Sequence, residues 1–318
     1  VLNDRPDVSE DVRRKVLSAI KNGNYIPNNS ARDLVRTKSD AVGLVVRGVS
    51  NPFYTDIIRA IERTITDAGF TMVMQQIGTC DDEVKCGAVM EREKRLQGIV
   101  FLGGRFDYTP ADLAMLNVPF VCCSYSNRYG TLIEGEYSSV SIADGDTAQQ
   151  AVEELYRHGH RRIAALISRP DDQSISQLRY EGYVQALESH GIPVDPELVI
   201  STGGFDVRDA YSAVKAALER GADFTALFAI ADSMAIGAMR ALMDAGRRIP
   251  EDCSVIAIDG LELSAYIEPP LTTLCQPMEE MGRRSAEILL DMVRHKGSHA
   301  CELLPTTLRQ GRSVAAPG

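Results

Sequence analysis

The chain of 318 residues holds 34 Lys and Arg against 44 Asp and Glu, a net charge of −10, with 44% hydrophobic residues. That is enough for two domains with real apolar cores and a small appendage, and no run approaches the ~18 apolar residues of a membrane-spanning helix. The seven cysteines (Cys80, Cys86, Cys122, Cys123, Cys253, Cys275 and Cys301) are odd in number and lack paired C-x-x-C spacing, so buried reduced thiols are expected in place of a zinc site.

Charge is divided unevenly along the chain. Residues 1–38 contain eight Lys and Arg against five Asp and Glu, so the acidity lies in the remainder. A basic arm on an acidic body suits a partner of negative charge held at one end.

In that arm, Ser9 can cap a helix whose first turn carries Glu10 and Asp11, with Val12, Val16, Ala19 and Ile20 at helical spacing and Gly23 at the stop. Residues 25–36 follow as a short basic and apolar segment. Pro27 suits a helix start, and Ala31, Arg32 and Leu34 give a turn or two that is too short to be stable alone. Such a segment reads as a linker or as a helix that folds on nucleic acid, with Leu34 as an apolar wedge and Arg32 and Arg36 near phosphates.

From Ala41 the chain alternates short apolar runs with amphipathic helices, the pattern of parallel α/β architecture. Strands are expected at 42–46, 71–75, 98–102, 119–123 and 139–143. The helices between them are expected at 53–68, with Ile57, Ile58, Ile61 and Ile65 on one face, and around 82–95. The rhythm then restarts: helices at 147–157, 178–190, 207–220 and 232–245 alternate with strands at 162–167, 197–201, 225–229 and 253–258. Two α/β lobes of similar size fit this order, and loops at the carboxyl ends of their strands converge on the crevice between them.

No G-x-G-x-x-G or G-x-x-x-x-G-K-[ST] occurs, and the five histidines offer no nucleophile–base or metal set. No catalytic residue, metal or cofactor is therefore expected.

A series of motifs in fixed order resembles the lactose/galactose repressor (LacI/GalR) family of bacterial transcriptional regulators. It begins with Tyr25 to Leu34 and continues with Ser50-Asn51-Pro52-Phe53, Gly159-His160-Arg161-Arg162-Ile163-Ala164 and Arg179-Tyr180-Glu181-Gly182-Tyr183. Then come Asp232-Ser233-Met234-Ala235-Ile236-Gly237, Ile249-Pro250-Glu251-Asp252, Ile256-Ala257-Ile258-Asp259-Gly260, Leu271-Thr272-Thr273, Gln276-Pro277 and Met281-Gly282. The likeness covers nearly the whole chain. It implies that the numbering begins inside a helix-turn-helix motif, with roughly its first two helices missing.

The resemblance implies a periplasmic-binding-protein-like core with three crossings between lobes. Residues 1–40 would be the remnant of the DNA-binding domain and its hinge. One lobe would hold 41–142 and 276–303, the other 143–275 and 304–318. It also implies a cytoplasmic homodimer or tetramer that binds a palindromic operator through the missing residues and a hinge containing Asn28, Asn29, Ala31, Arg32 and Leu34. A small effector in the cleft would alter the hinge geometry.

Seven residues join a family match to a chemical reason for lining that cleft. Arg179 is a five-donor fork, and Asp259 is acceptor-only when ionised and sits just after a strand. Either is expected to be removable without harm to the fold. Phe53, Tyr54 and Phe205 can cover an apolar sugar face, and Asp146 and Gln276 can add polar contacts. Plainer roles also fit: a surface salt bridge for Arg179, a helix cap for Asp259 or Asp146, core packing for the aromatics and a backbone contact for Gln276. Ala231 stands where sugar-responsive members carry Asn, and Ser124 where an Asp is common. A carbohydrate effector is favoured over a nucleobase corepressor. The alternative to a regulator is a free-standing periplasmic-type sugar carrier.

Overall fold

The chain divides into two units, one ending at Ser39 and one comprising Asp40–Gly318. A computed structural model describes residues 9–22, 39–48, 51–78, 81–133 and 135–318. In the first unit, α1 runs over Glu10–Asn22 with Glu10 and Asp11 in its first turn. Arg13 donates its N–H to the Ser9 carbonyl at 2.9 Å, which places Ser9 at the helix start. Asn28, Asn29, Ala31, Arg32 and Leu34 lie outside the described residues.

The second unit opens on β1 (Ala41–Arg47), whose first six residues are all buried, as expected for a strand covered on both faces of a parallel sheet. Its alternate residues serve two cores. Val42, Leu44 and Val46 join Ile57, Ile61 and Ile65 on one face, and Ala41 and Val45 join Val84, Met90, Ile99 and Phe101 on the other. The three isoleucines come from α2 (Tyr54–Asp67), where i, i+4 spacing stacks them on one stripe. Ile58, expected on that stripe, is only partly buried at its margin, because one residue turns the helix by about 100°.

The first sheet is completed by β2 (Thr71–Ile77), β3 (Gly98–Leu102), β4 (Phe120–Cys123), β5 (Ser139–Ser141) and β11 (Cys301–Leu303), in the order β11-β5-β4-β3-β1-β2. Helix α3 (Glu83–Lys94) and the four-residue α4 (Pro110–Leu113) lie along this stretch. The second sheet has the order β12-β10-β9-β8-β6-β7. Its strands are β6 (Ile163–Ile167), β7 (Val199–Ser201), β8 (Ala226–Ala229), β9 (Ser254–Asp259), β10 (Thr272–Cys275) and β12 (Thr307–Arg309). All neighbours pair in parallel except β12, which runs antiparallel to β10.

The helices of the second half are α5 (Asp144–Arg157), α6 (Ile175–Ser189), α7 (Val207–Glu219) and α8 (Asp232–Asp244), and α9 (Met278–His295) returns to pack on α2. The chain passes between the sheets after β5, after β10 and after β11. The halves also touch where Tyr129 meets Glu181 at 3.1 Å and where Ile175 and Leu178 pack against the core around Phe106 and Tyr125. Of the six described cysteines, Cys122, Cys123 and Cys253 are buried as expected, whereas Cys86 and Cys275 are only partly buried and Cys301 is exposed, against the expectation of burial; all six are free thiols. Among the described residues no helix is long and apolar enough to cross a membrane.

Three glycines of the sequence motifs have a packing reason. A Cβ on Gly182 would lie 2.2 Å from the Gly145 carbonyl oxygen, one on Gly237 2.2 Å from that of Val207, and one on Gly282 2.4 Å from that of Ile57. Each glycine thus lets a helix pair close backbone to backbone: α5 with α6, α7 with α8, α2 with α9. Gly282→Ala is expected to force α2 and α9 apart and lower stability by about 1–3 kcal/mol. Urea denaturation would measure the loss, and an unchanged midpoint would show that the helices have room.

Candidate functional site

The two sheets direct the carboxyl ends of their strands at a shared cavity of about 570 Å³, within the usual range for small-molecule sites. Its wall is made of strand ends and the loops after them: Arg47 of β1, Gly103 and Gly104 after β3, Ser124 after β4, Ser168 and Arg169 after β6, and Asp259 of β9. Phe53, Tyr54, Arg179 and Phe205 also line it, so five of the seven residues expected at a ligand site meet there.

Arg179, on the first half of α6, is 2% exposed. Its Nε donates to Asp144 Oδ1 at 2.9 Å, and its Nη2 lies 2.9 Å from the same oxygen. Nη1 donates to the Ile230 carbonyl at 2.5 Å and reaches Asp259 Oδ1 at 3.5 Å. The guanidinium is therefore held by the protein on several sides and is a buried ion pair rather than a surface one.

Asp259 is 2% exposed and accepts from Gln276 Nε2 at 2.8 Å. Its Oδ2 is buried with no hydrogen-bond partner among the described residues, and the residue lines the cavity. Its backbone adopts φ 136°, and Ser124 adopts φ 56°. These left-handed values are strained for any residue except glycine, and strain of this kind clusters at ligand clamps. Both occur where a strand of each sheet ends at the cavity.

Burial controls the acidity of this group. It pushes the Asp259 carboxyl up to about 7, with the charge of Asp232 acting the same way and that of Arg179 opposing. Burial likewise raises Asp144 against the opposing charge of Arg179. Asp232 is raised by burial too. It accepts from the N–H groups of Gly260 and Leu261 and from the hydroxyls of Ser264 and Thr273, at 2.5 to 3.1 Å. Asp232 thereby fixes the loop that follows Asp259.

Tyr54 closes one side. Its hydroxyl would be 2.6 Å from a Cβ at Gly103, so Gly103 allows the ring to reach its place. Burial raises its pKa, and the charges of Asp259, Arg179 and Arg47 all act on it. Phe53 is buried against the core and tilted 5.6 Å from the Tyr54 ring. The half-buried Phe205 is anchored by its carbonyl, which accepts from Ser233 Oγ at 2.9 Å.

Two expected residues do not line the cavity. Gln276 is buried behind Asp259, where its side chain donates to the carboxylate and its backbone N–H to the Asp259 carbonyl. Asp146 is exposed on the first turn of α5. That helix starts at Asp144 and not near Thr147, so the inward carboxylate is Asp144, two residues earlier. Asp146 is also no cap, since the N-cap position is Ala143. Arg47, Arg105, Asp107 and Arg169 were not anticipated. Their one signal was a position at or just beyond a strand's carboxyl end.

Residues 152–314 match the periplasmic binding protein-like domain. The HTH-type transcriptional regulator MalR of Clostridium butyricum is 37% identical over 312 residues, 97% of this chain and 92% of that protein. The HTH-type transcriptional repressor CytR of Escherichia coli (strain K12) is 32% identical over 306 residues, 94% of this chain and 88% of that protein. The chain belongs to the lactose/galactose repressor family of transcriptional regulators. Solved LacI-family structures share its fold. The transcriptional regulator CelR–cellobiose complex, 31% identical, aligns with a TM-score of 0.77 over 98% of this chain and 94% of that chain. The lac repressor dimer bound to operator and the anti-inducer ONPF, 25% identical, aligns at 0.81 over 99% and 93%. These relatives are regulators, neither enzymes nor free-standing carriers.

The buried ion pair revises the expectation that Arg179 is dispensable for the fold. Arg179→Ala would leave Asp144 and Asp259 without their cation, a loss of roughly 3–5 kcal/mol for a broken buried pair, which chemical denaturation measures; a loss near zero would mean that water replaces the guanidinium. The raised Asp259 carboxyl sets a pH dependence. Between its unfolded value of 3.8 and about 7 the folded state binds the extra proton, so stability falls as pH rises through that window. Asp259→Asn removes this titration and is expected to flatten the decline in melting temperature between pH 4 and 7, and an unaltered profile would place the titration elsewhere.

Proposed function

We propose that this LacI-family regulator is a cytoplasmic repressor. Its cleft binds a sugar or sugar derivative, and that binding changes the affinity of a homodimer for a palindromic operator. The DNA-contacting part is residues 1–40 with the hinge residues Asn28, Asn29, Ala31, Arg32 and Leu34. The effector core is one lobe of 41–142 with 276–303 and another of 143–275 with 304–318.

One observation carries the sugar reading: a cavity bordered by Tyr54 and Phe205 is lined by the anchored Arg179 guanidinium and by Asp259, whose Oδ2 has no hydrogen-bond partner among the described residues. A carboxylate oxygen accepts a sugar hydroxyl, and aromatic rings cover the apolar face of a pyranose. Ala231, buried at the cavity wall, supplies no amide there. Any hydroxyl at that point must find water or another partner, which narrows the sugars accepted.

The test measures operator binding by the full-length protein by fluorescence anisotropy. Wild type is expected to change operator affinity on titration with a sugar. Asp259→Ala is expected to lose that response and to bind the sugar roughly 30-fold or more weakly, as for loss of a buried charged hydrogen-bond partner. With an inducer the variant still binds DNA, and with a corepressor it does not. A response to purine or pyrimidine bases, and to no sugar, would replace the carbohydrate with a nucleobase.

A further inference from the structure

Between β4 and β5 the first half sends a loop, residues 126–132, toward the second half, and hydrogen bonds fix the shape of that loop. The Tyr129 N–H donates to the Phe106 carbonyl at 3.0 Å and the Thr131 N–H to the Tyr108 carbonyl at 2.9 Å. Asn127 Oδ1 accepts from the Tyr125 hydroxyl at 3.0 Å, and its Nδ2 donates to the Leu132 carbonyl at 2.8 Å. A Cβ on Gly130 would lie 2.2 Å from Asn127 Oδ1 and 2.4 Å from the Tyr108 carbonyl oxygen, so glycine lets the loop lie this close. Phe106 lines the cavity, and the loop is thereby fastened to the first-sheet wall of the cleft.

The loop meets α6, the helix that carries Arg179. Tyr129 OH donates to Glu181 Oε1 at 3.1 Å, and Gln177 Nε2 donates to the same oxygen at 3.0 Å. Gln177 Oε1 in turn accepts from the Gln173 N–H at 3.0 Å, which ties the carboxylate to the start of its own helix. Ile175 and Leu178 of that helix pack, with Tyr129, against the first-half core around Phe106 and Tyr125. Apolar contact is non-directional and tolerates sliding, whereas a hydrogen bond holds only over a narrow range of distance and angle. The polar pair therefore sets the register of the contact.

Arg179 and Ile175 of α6 line the cavity, and Glu181 is two residues beyond Arg179. Tyr129 is thus fastened to a residue of one cavity wall and Glu181 to the helix of the other, so any change in the distance between the walls shears this hydrogen bond. Tyr129, Gln177 and Glu181 are half-buried. Water can therefore replace the bond on opening, which keeps the contact reversible. We propose that the 126–132 loop and the first half of α6 form a latch, closed by Tyr129 and Glu181, which holds the lobes at their present separation and opens when that separation changes. Burial and the neighbouring Glu181 charge raise the Tyr129 hydroxyl, so it keeps its proton and remains a donor at any ordinary pH. The latch acts whichever effector the cleft takes.

Double electron–electron resonance on the full-length protein tests this. A ketone-bearing amino acid replaces Glu93 on α3 and Glu219 on α7, both exposed, and takes the spin labels, so the native thiols stay. Labelled chains are diluted into unlabelled ones so that each assembly carries one labelled pair. Tyr129→Phe, which keeps the ring, and Glu181→Ala are each expected to raise the population at a second lobe-to-lobe distance about fivefold, as for loss of one half-exposed hydrogen bond. The double variant is expected to match the single ones, because both remove the same bond. Tyr211→Phe removes a comparable bond, to Asp244 at 3.0 Å, inside the second half, and is expected to leave the distances as in the wild type. Circular dichroism checks that each variant folds. Wild-type distances in Tyr129→Phe or Glu181→Ala, an equal shift in Tyr211→Phe, or effects that add in the double variant would overturn the latch and leave the sugar reading standing.

Discussion

Arg179 sits in a buried cage made of the Asp144 carboxylate, the Ile230 carbonyl and Asp259, and the rest of the cleft is arranged round it. A guanidinium with this little exposure needs partners from several elements at once. It therefore ties the start of α5, the turn after β8 and the end of β9 to one point on α6. Gln276 and Asp232 extend the network from behind, one holding the carboxylate and the other the loop after it. Asp259 is left with one satisfied oxygen and one with no hydrogen-bond partner among the described residues.

That arrangement gives a ligand leverage over the fold. The carboxyl is raised by burial, so a hydroxyl that donates to it would offset part of that desolvation cost. On the opposite wall Arg47 ends β1, and Arg105 and Asp107 lie on the loop after β3, both strands of the other sheet. A molecule in contact with both walls favours one separation of the lobes over another, which is what coupling between a cleft and a distant segment requires. Tyr129 and Glu181 already join the halves directly, so the separation has a polar contact of its own to work against.

Much of the fold was legible in the order of apolar runs. The strand at 98–102 was placed to the residue, and the starts or ends of most others differ by one to three positions. The largest effect of such a slip was functional. With α5 expected to start near Thr147, Asp146 was read as a cleft contact or as the helix cap, but the helix begins at Asp144 and turns Asp146 to solvent. Spacing alone did not distinguish these two acids, because both lie in the first turn and both favour the helix dipole. The motif glycines at 182, 237 and 282 stood out by resemblance, but their reason, a carbonyl of the facing helix within 2.4 Å of a Cβ that is not there, needs the packed pair.

By itself the sequence determined the alternating α/β order, the family, and the strand-end position of Asp259, since these follow from local periodicity and from short contiguous motifs. It also marked Arg179 as a polar residue on a helix aimed at the crevice. Only the tertiary structure decided that Arg179 is spent on two carboxylates, that Gln276 acts through Asp259, and that Arg47, Arg105 and Asp107 share the cavity with them. Those relations join residues distant in the chain, Gln276 to Asp259 across two strands and Arg179 to Asp144 across two helices. Whether a buried charge is paired or open depends on which elements the sheets bring together, and no local pattern records that.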